Sequence, residues 1–189
     1  MPDPTAPPDR RKDVVRRAVE VIRRAGYLTL ATSDSTGRAW AAQLQYAWFT
    51  SPLSLVVGSH IEARHSVDIA ENGRAAAAIS LLPDMQGGPD GLQVAGACSV
   101  LSGTTLARRA PAFYRQMYAG PVEADDLALT PEQLSGSAPL RLYELRIDEL
   151  WILDLDRWAK EHVSARVQVD HIAVEHALGA INPAEHAPR

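Results

Sequence analysis

The run from Leu55 to Asn72, LVVGSHIEARHSVDIAEN, joins an apolar strand to a helix and sets Ser59, Arg64, His65 and Ser66 close together. Two hydroxyls, a guanidinium and an imidazole are the donors an anion needs. A helix start adds unpaired backbone N–H groups and the positive end of the helix dipole, so the chemistry this spacing favours is phosphate binding. Plainer roles suit the same residues, with Ser59 as a helix N-cap and Arg64 as a solvated helix residue. The surrounding elements must decide between the two.

Other chemistries find less support. His60 and His65 lie five apart, as do His171 and His176, which puts neither pair on one helical face, so no structural metal is expected. No Gly-x-Ser-x-Gly elbow marks a hydrolase nucleophile, and no Gly-x-Gly-x-x-Gly turn marks a dinucleotide-binding unit. Asp154 and Asp156, alternating with leucines in LDLD, read as a solvated strand face.

The elements that hold the Ser59–Ser66 run follow from periodicity. After four prolines in Met1–Pro8, with Asp9 as cap, Val15, Ala18, Val19, Ile22 and Ala25 recur at helical spacing up to Gly26. Arg10, Arg17 and Arg24 repeat on the other, solvated face. From Tyr27 the period becomes two, and YLTLATS, a turn at Asp34–Gly37 and RAWAAQLQYAWF predict a long antiparallel hairpin. Leu53–Gly58 is a third strand, Ile61–Asn72 a short helix, Arg74–Leu82 a fourth strand and Pro83–Asp90 a loop.

Gly91–Gly103 is a fifth strand with Leu92, Val94, Cys98 and Val100 on one face and Gln93, Ala95, Ala97 and Ser99 on the other. A helix capped by Thr104 or Thr105 follows, with Pro111 near its first turn. Ala119–Ser137 is mostly loop. Leu140–Ile147 and LWILDLD predict two strand segments joined by a bend or bulge, and Val163–Val169 a last strand. Six or seven antiparallel strands with few helices predict a mainly β (α+β) closed barrel, since closure removes exposed edges. Residues 1–8 are expected to be a mobile arm, 9–170 one domain, and 171–189 a tail, partly helical or disordered.

The chain has 189 residues, and 19 basic against 23 acidic side chains give a net charge of -4, so no global field favours nucleic acid or an anionic membrane. Its single cysteine, Cys98, rules out an internal disulfide and fits a reducing compartment. With no apolar run of membrane-spanning length and no signal-peptide pattern, a soluble cytoplasmic protein is expected.

From Arg16 to Val169, the order of helix, hairpin, strand, Gly-Ser, helix with Arg-His-Ser, strand and Gln-bearing strand resembles the pyridoxamine 5′-phosphate oxidase-like family of flavin-binding split barrels. The resemblance implies a homodimer with flavin mononucleotide (FMN) at its interface and a small-molecule substrate. Phosphate contacts then fall to Ser59, Arg64, His65 and Ser66, with Gly58 also among the cofactor-binding residues. Gln43, Leu44, Gln45 and Tyr46 resemble the second-strand segment along which the flavin ring lies, and Gln93 resembles a fifth-strand glutamine that reaches it.

His65 stands where a lysine is common, which implies weaker or more pH-dependent phosphate affinity. The tail, LYELRIDELWILDLDRWAKEHVSARVQV, resembles the small flavin-barrel branch rather than the vitamin oxidase, whose C-terminal Arg-x-His finds no match; Arg166 and Trp158 are the residues that could line the same mouth. The resemblance implies an oxidoreductase with no assigned catalytic side chain. The alternatives are a deazaflavin-dependent reductase, or a non-catalytic flavin or haem binder with His162 or His171 reaching iron.

Overall fold

Alternation of buried and exposed residues along several strands builds a sheet here, and two helices complete its core. The computed structural model describes residues 10–81, 90–118 and 127–181. The arm expected at 1–8, and all of the loop expected at 83–90 except Asp90, lie outside the described residues. In chain order the elements are α1 (Arg10–Arg24), β1 (Tyr27–Ser33), β2 (Ala39–Gln45), β3 (Ala47–Phe49), β4 (Ser54–His60), α2 (Arg64–Asn72), β5 (Arg74–Leu81) and β6 (Asp90–Val100). Then come α3 (Gly103–Met117), β7 (Leu140–Leu153), α4 (Leu155–Glu161), β8 (Arg166–Gln168) and α5 (His171–Gly179).

The strands pair antiparallel in the order β2-β1-β5-β6-β7-β4-β3, with β8 added on β7. Only Tyr46 separates β2 from β3, yet these strands stand at opposite ends of that order. The order therefore returns on itself through one residue and makes a split β-barrel with accompanying helices. The expected second hairpin strand, RAWAAQLQYAWF, is thus two strands: its first part pairs with β1 and its last part with β4. Tyr46 turns inward between them, and its hydroxyl donates to the carbonyl of Ile22 on α1 at 2.8 Å.

Inside the barrel, Leu28 and Leu30 of β1, Leu55 and Val57 of β4, Leu92, Val94 and Cys98 of β6 and Leu145 and Ile152 of β7 form the core. The stripe of α1 (Ala18, Val21, Ile22) and Val174 and Leu178 of α5 complete it. A second cluster lies outside the barrel wall, where Leu106, Ala110, Phe113 and Tyr114 of α3 cover Val56 and Leu142. β4 is therefore apolar on both faces, which explains why LSLVV reads as a continuous run rather than an alternation.

Several local expectations change. Arg17 is 8% exposed: it pairs with Asp90 at 2.8 and 2.9 Å and donates to the Leu153 carbonyl, so the α1 arginines are not one solvated face. Pro111 sits inside α3 rather than in its first turn, and Ser102 occupies the N-cap position instead of Thr104 or Thr105. The LDLD run is the start of α4: Asp154 caps it by accepting from the Arg157 N–H, so the two aspartates do not share a strand face. Val100 is exposed, unlike Leu92, Val94 and Cys98.

The expected irregularity after Ile147 is real, but β7 runs through it as one strand. Asp148 is the extra residue, because Ala95 faces Glu149 while Gly96 faces Ile147. Opposite it only glycine fits: a Cβ on Gly96 would lie 1.7 Å from the Arg146 carbonyl oxygen.

Candidate functional site

β4 carries the site. Its pairing with β7 continues through Gly58, Ser59 and His60, so the Gly-Ser pair lies within the strand and not at its end. The Ile61 N–H then bonds to the Pro139 carbonyl at 2.8 Å and the Ala63 N–H to the His60 carbonyl at 3.1 Å, which turns the chain into α2. The helix starts at Arg64, later than the expected Ile61, and its N-cap position is Ala63, with no side-chain cap. Ser59 is therefore not a cap. Its Oγ lies 2.7 Å from His65 Nε2, tying the strand to the first turn of α2.

Around this pair the other candidates gather. His65 is 7% exposed, and burial lowers its pKa from the ordinary value, while the charge of Asp68 acts in the opposite direction. Ser66 is 2% exposed, and its Oγ has no hydrogen-bond partner among the described residues. Arg64 lies half-buried with its guanidinium 4.8 Å from the Trp40 ring centroid and 4.0 Å from Asp34 Oδ2. The Thr36 hydroxyl, donating to Asp34, helps hold that carboxyl below its ordinary pKa.

The structure joins Ser59 to His65, with Arg64 and Ser66 on either side of His65 in the first turn of α2 and the exposed Gly58 next to Ser59 on β4. Gln45 of β2 meets Gly58 and Ser59 but not Arg64, His65 or Ser66: with Phe113, Tyr114 and Met117 these three line a cavity of about 220 Å³. Gln43 is exposed, Leu44 packs against the core, and the Tyr46 side chain is buried against α1.

Gln93 is not brought to this cluster. It lies in a row that crosses the sheet as Gln43, Thr29, Ala78, Gln93 and Trp151, so β1 and β5 stand between the two glutamines. The neighbouring row is Ala41, Ala31, Ala76 and Ala95, which gives this face a flat, small-residue surface. Arg166 is exposed at the start of β8, and Trp158 is 46% exposed on α4. Among the described residues there is no group of three or more His, Cys, Asp or Glu that could hold a metal, and no helix is long and apolar enough to cross a membrane.

Two parts of the site escape sequence reading. Trp40 as a platform under Arg64 depends on the β2 register, for which the sequence offers only an aromatic in an alternating strand. Asp68, three residues after His65 on α2, accepts from the Thr32 hydroxyl at 2.6 Å. Its i, i+3 spacing from His65 was the available signal.

No family model and no curated protein matches the chain. Solved structures do. One is a haem-binding protein from Mycobacterium smegmatis, 18% identical, with a TM-score of 0.60 over 86% of this chain and 60% of that one. The haem storage protein HutZ from Vibrio cholerae is 16% identical, with a TM-score of 0.51 over 72% of this chain and 92% of that one. A protein from Listeria innocua, provisionally assigned as a pyridoxamine 5′-phosphate oxidase, is 11% identical, with a TM-score of 0.53 over 75% of this chain and 98% of that one. The chain spans 60% of the length of the Mycobacterium protein, and 61% of a protein of unknown function from Agrobacterium tumefaciens. At these identities the likeness is one of fold. The chain has the split-barrel fold of the pyridoxamine 5′-phosphate oxidase-like proteins.

Proposed function

We propose that the protein is a cytoplasmic, homodimeric flavoprotein that binds FMN and passes hydride or electrons between it and a small organic substrate. The observation that carries this reading is the Ser66 hydroxyl, buried with no hydrogen-bond partner among the described residues on the same turn of α2 as Arg64 and as His65, whose ring meets Ser59. A buried hydroxyl left unpaired costs about 1–3 kcal/mol, which a phosphate oxygen would remove. The exposed Gly58 leaves backbone uncovered next to Ser59, and a Cβ there would make only ordinary contacts.

When bound, FMN supplies the redox chemistry. The chain's own residues bind and orient it. Arg64, steadied over Trp40, contributes the full charge toward the phosphate, and Ser59, His65 and Ser66 add donors. Gln43, Leu44, Gln45 and Tyr46 offer the backbone and amide groups of the β2 segment to the ring. The alanine-rich outer face, with Gln43 and Gln93 in one row, suits a second copy of this chain, which would bring its Gln93 to the first copy's ring. No side chain need act as a general acid or base.

The colour of the purified protein tests this. A flavin spectrum, with FMN released on heating, is expected. Titration with FMN should also show Arg64→Ala binding about tenfold to a hundredfold more weakly, the loss of one charge-assisted contact of about 1.5–3 kcal/mol. Wild-type affinity in that variant would remove the phosphate assignment. A second reading, favoured by the likeness to two haem proteins, is a haem binder; an intense Soret band on haem addition with no flavin uptake would select it. A colourless protein that takes up deazaflavin instead would select the reductase.

A further inference from the structure

Ser59 has a single hydroxyl proton to give, and His65 Nε2 lies 2.7 Å from its Oγ. Two proton arrangements satisfy that contact. In the first, the serine donates to a bare Nε2 and turns only lone pairs toward whatever stands beside it. In the second, Nε2–H donates to Oγ and leaves the serine proton for a ligand.

In many histidines the choice is made by a hydrogen bond at the other ring nitrogen. Among the described residues Nδ1 of His65 makes none, so the tautomer answers to Ser59. A doubly protonated ring would donate from both nitrogens, but burial of this histidine lowers its pKa and favours the neutral form. Backbone holds the pair at both ends. Ser59 faces Arg141 in the β4–β7 ladder, and His65 lies in the first turn of α2, where the Ser66 and Val67 N–H groups bond to the Ala63 carbonyl at 2.8 and 3.1 Å. A ligand at Ser59 therefore selects between two proton arrangements of one placed pair.

We infer that His65 is a positioning residue that acts through Ser59: an anion at the serine accepts its proton in a hydrogen bond, and the imidazole answers as the Nε2–H tautomer, donating to Oγ. The ring loses the Nδ1 proton to solvent as Nε2 gains one, so net charge is unchanged. Ser59 then faces the ligand as a donor, beside the charge of Arg64, which suits a phosphate and disfavours a ligand group that must itself donate. A lysine in place of His65 would supply charge; this histidine supplies the direction of a hydroxyl.

This rests on the phosphate reading, and the experiments separate the two. Nitrogen NMR of the isotope-labelled His65 ring, assigned by its loss in His65→Gln, reads the tautomer in wild type at about pH 7.5 with and without saturating FMN. The complex should show a protonated Nε2 and a bare Nδ1. A bare Nε2, or two protonated nitrogens, in a complex that forms overturns the inference and leaves the phosphate reading standing. No FMN binding in wild type overturns both.

The second measurement is a mutant cycle read by FMN titration. Ser59→Ala should weaken binding about tenfold, and His65→Leu about fivefold. In the Ser59→Ala background, His65→Leu should change affinity by less than about twofold, because its route to the ligand is gone. Losses that multiply mean that His65 meets the ligand by itself, and unchanged affinity in Ser59→Ala means that no anion rests on that hydroxyl. Either result overturns the inference, while Arg64→Ala still reports on the phosphate reading. If His65→Leu does not fold, the wild-type tautomer decides.

Discussion

Ser59 Oγ and His65 Nε2, 2.7 Å apart, link β4 to α2 through two residues that also stand at the candidate anion site. Burial lowers the His65 pKa, so the unfolded chain binds this proton more readily than the folded one. Stability should therefore be fully present above the unfolded value near 6.5 and fall as pH drops from there toward the lowered folded value. The slope in that window is at most about 1.4 kcal/mol per pH unit from this one group. Urea unfolding of the cofactor-free protein between pH 7.5 and 5.5, with His65→Gln as reference, should show a shallower loss in the variant.

Trp40 lies under the Arg64 guanidinium and is itself 42% exposed. Trp40→Ala is expected to leave the fold intact and weaken FMN binding by a few-fold, since an exposed cation–π contact is worth about 0.5–1 kcal/mol. Fluorescence titration measures it. A loss as large as that of Arg64→Ala would mean that Trp40 contacts the ligand directly.

Arg109 of α3 ion-pairs with Glu144 of β7 and donates to Ser54 Oγ at 3.0 Å, with its guanidinium 4.9 Å from the Phe49 ring centroid. Both charges are buried. Glu144→Ala should destabilise the protein by about 3–5 kcal/mol because it strands the arginine, whereas Arg109→Met with Glu144→Leu should recover most of that loss. Comparison of denaturant midpoints decides, and equal losses in the single and double variants would contradict the account.

Gly96→Ala is expected to be among the most damaging single-methyl additions in the chain, because the new Cβ meets backbone rather than a movable side chain. Overpacking of this kind costs typically about 1–3 kcal/mol or more. Gly58→Ala, with its nearest contacts at 3.6 Å, should by contrast be tolerated. A thermal melt of each variant separates the two cases.

Burial pushes the Cys98 thiol up to about 12, with Glu144 adding to the effect. The native protein should react with a thiol reagent only as fast as it opens, and promptly in denaturant.

The period-two runs made the barrel legible, and the apolar stripe of α1 made its covering helix legible. The split at Tyr46 was not, because the side-chain alternation passes through it while the strand partners change. Arg17 looked like a surface residue because its partner Asp90 is 73 residues away, a distance that no local pattern reports. LDLD alternates as a strand would, yet Asp154 serves equally as a cap, and capping prevailed once β7 had ended at Leu153. At the site, the nearness of Ser59 to His65 could be read from spacing. The Asp68–Thr32 and Arg64–Trp40 contacts needed the packing of α2 against β1 and β2.

One residue, Tyr46, stands between the two strands that end the sheet order. New termini placed there by circular permutation would cut the one-residue link that holds these two edge strands next to each other, leaving each freer to recruit another molecule's strand. A permutant opened at the Asp34–Gly37 turn keeps that link and should stay dispersed, while one opened at Tyr46 should assemble into larger species as its concentration rises.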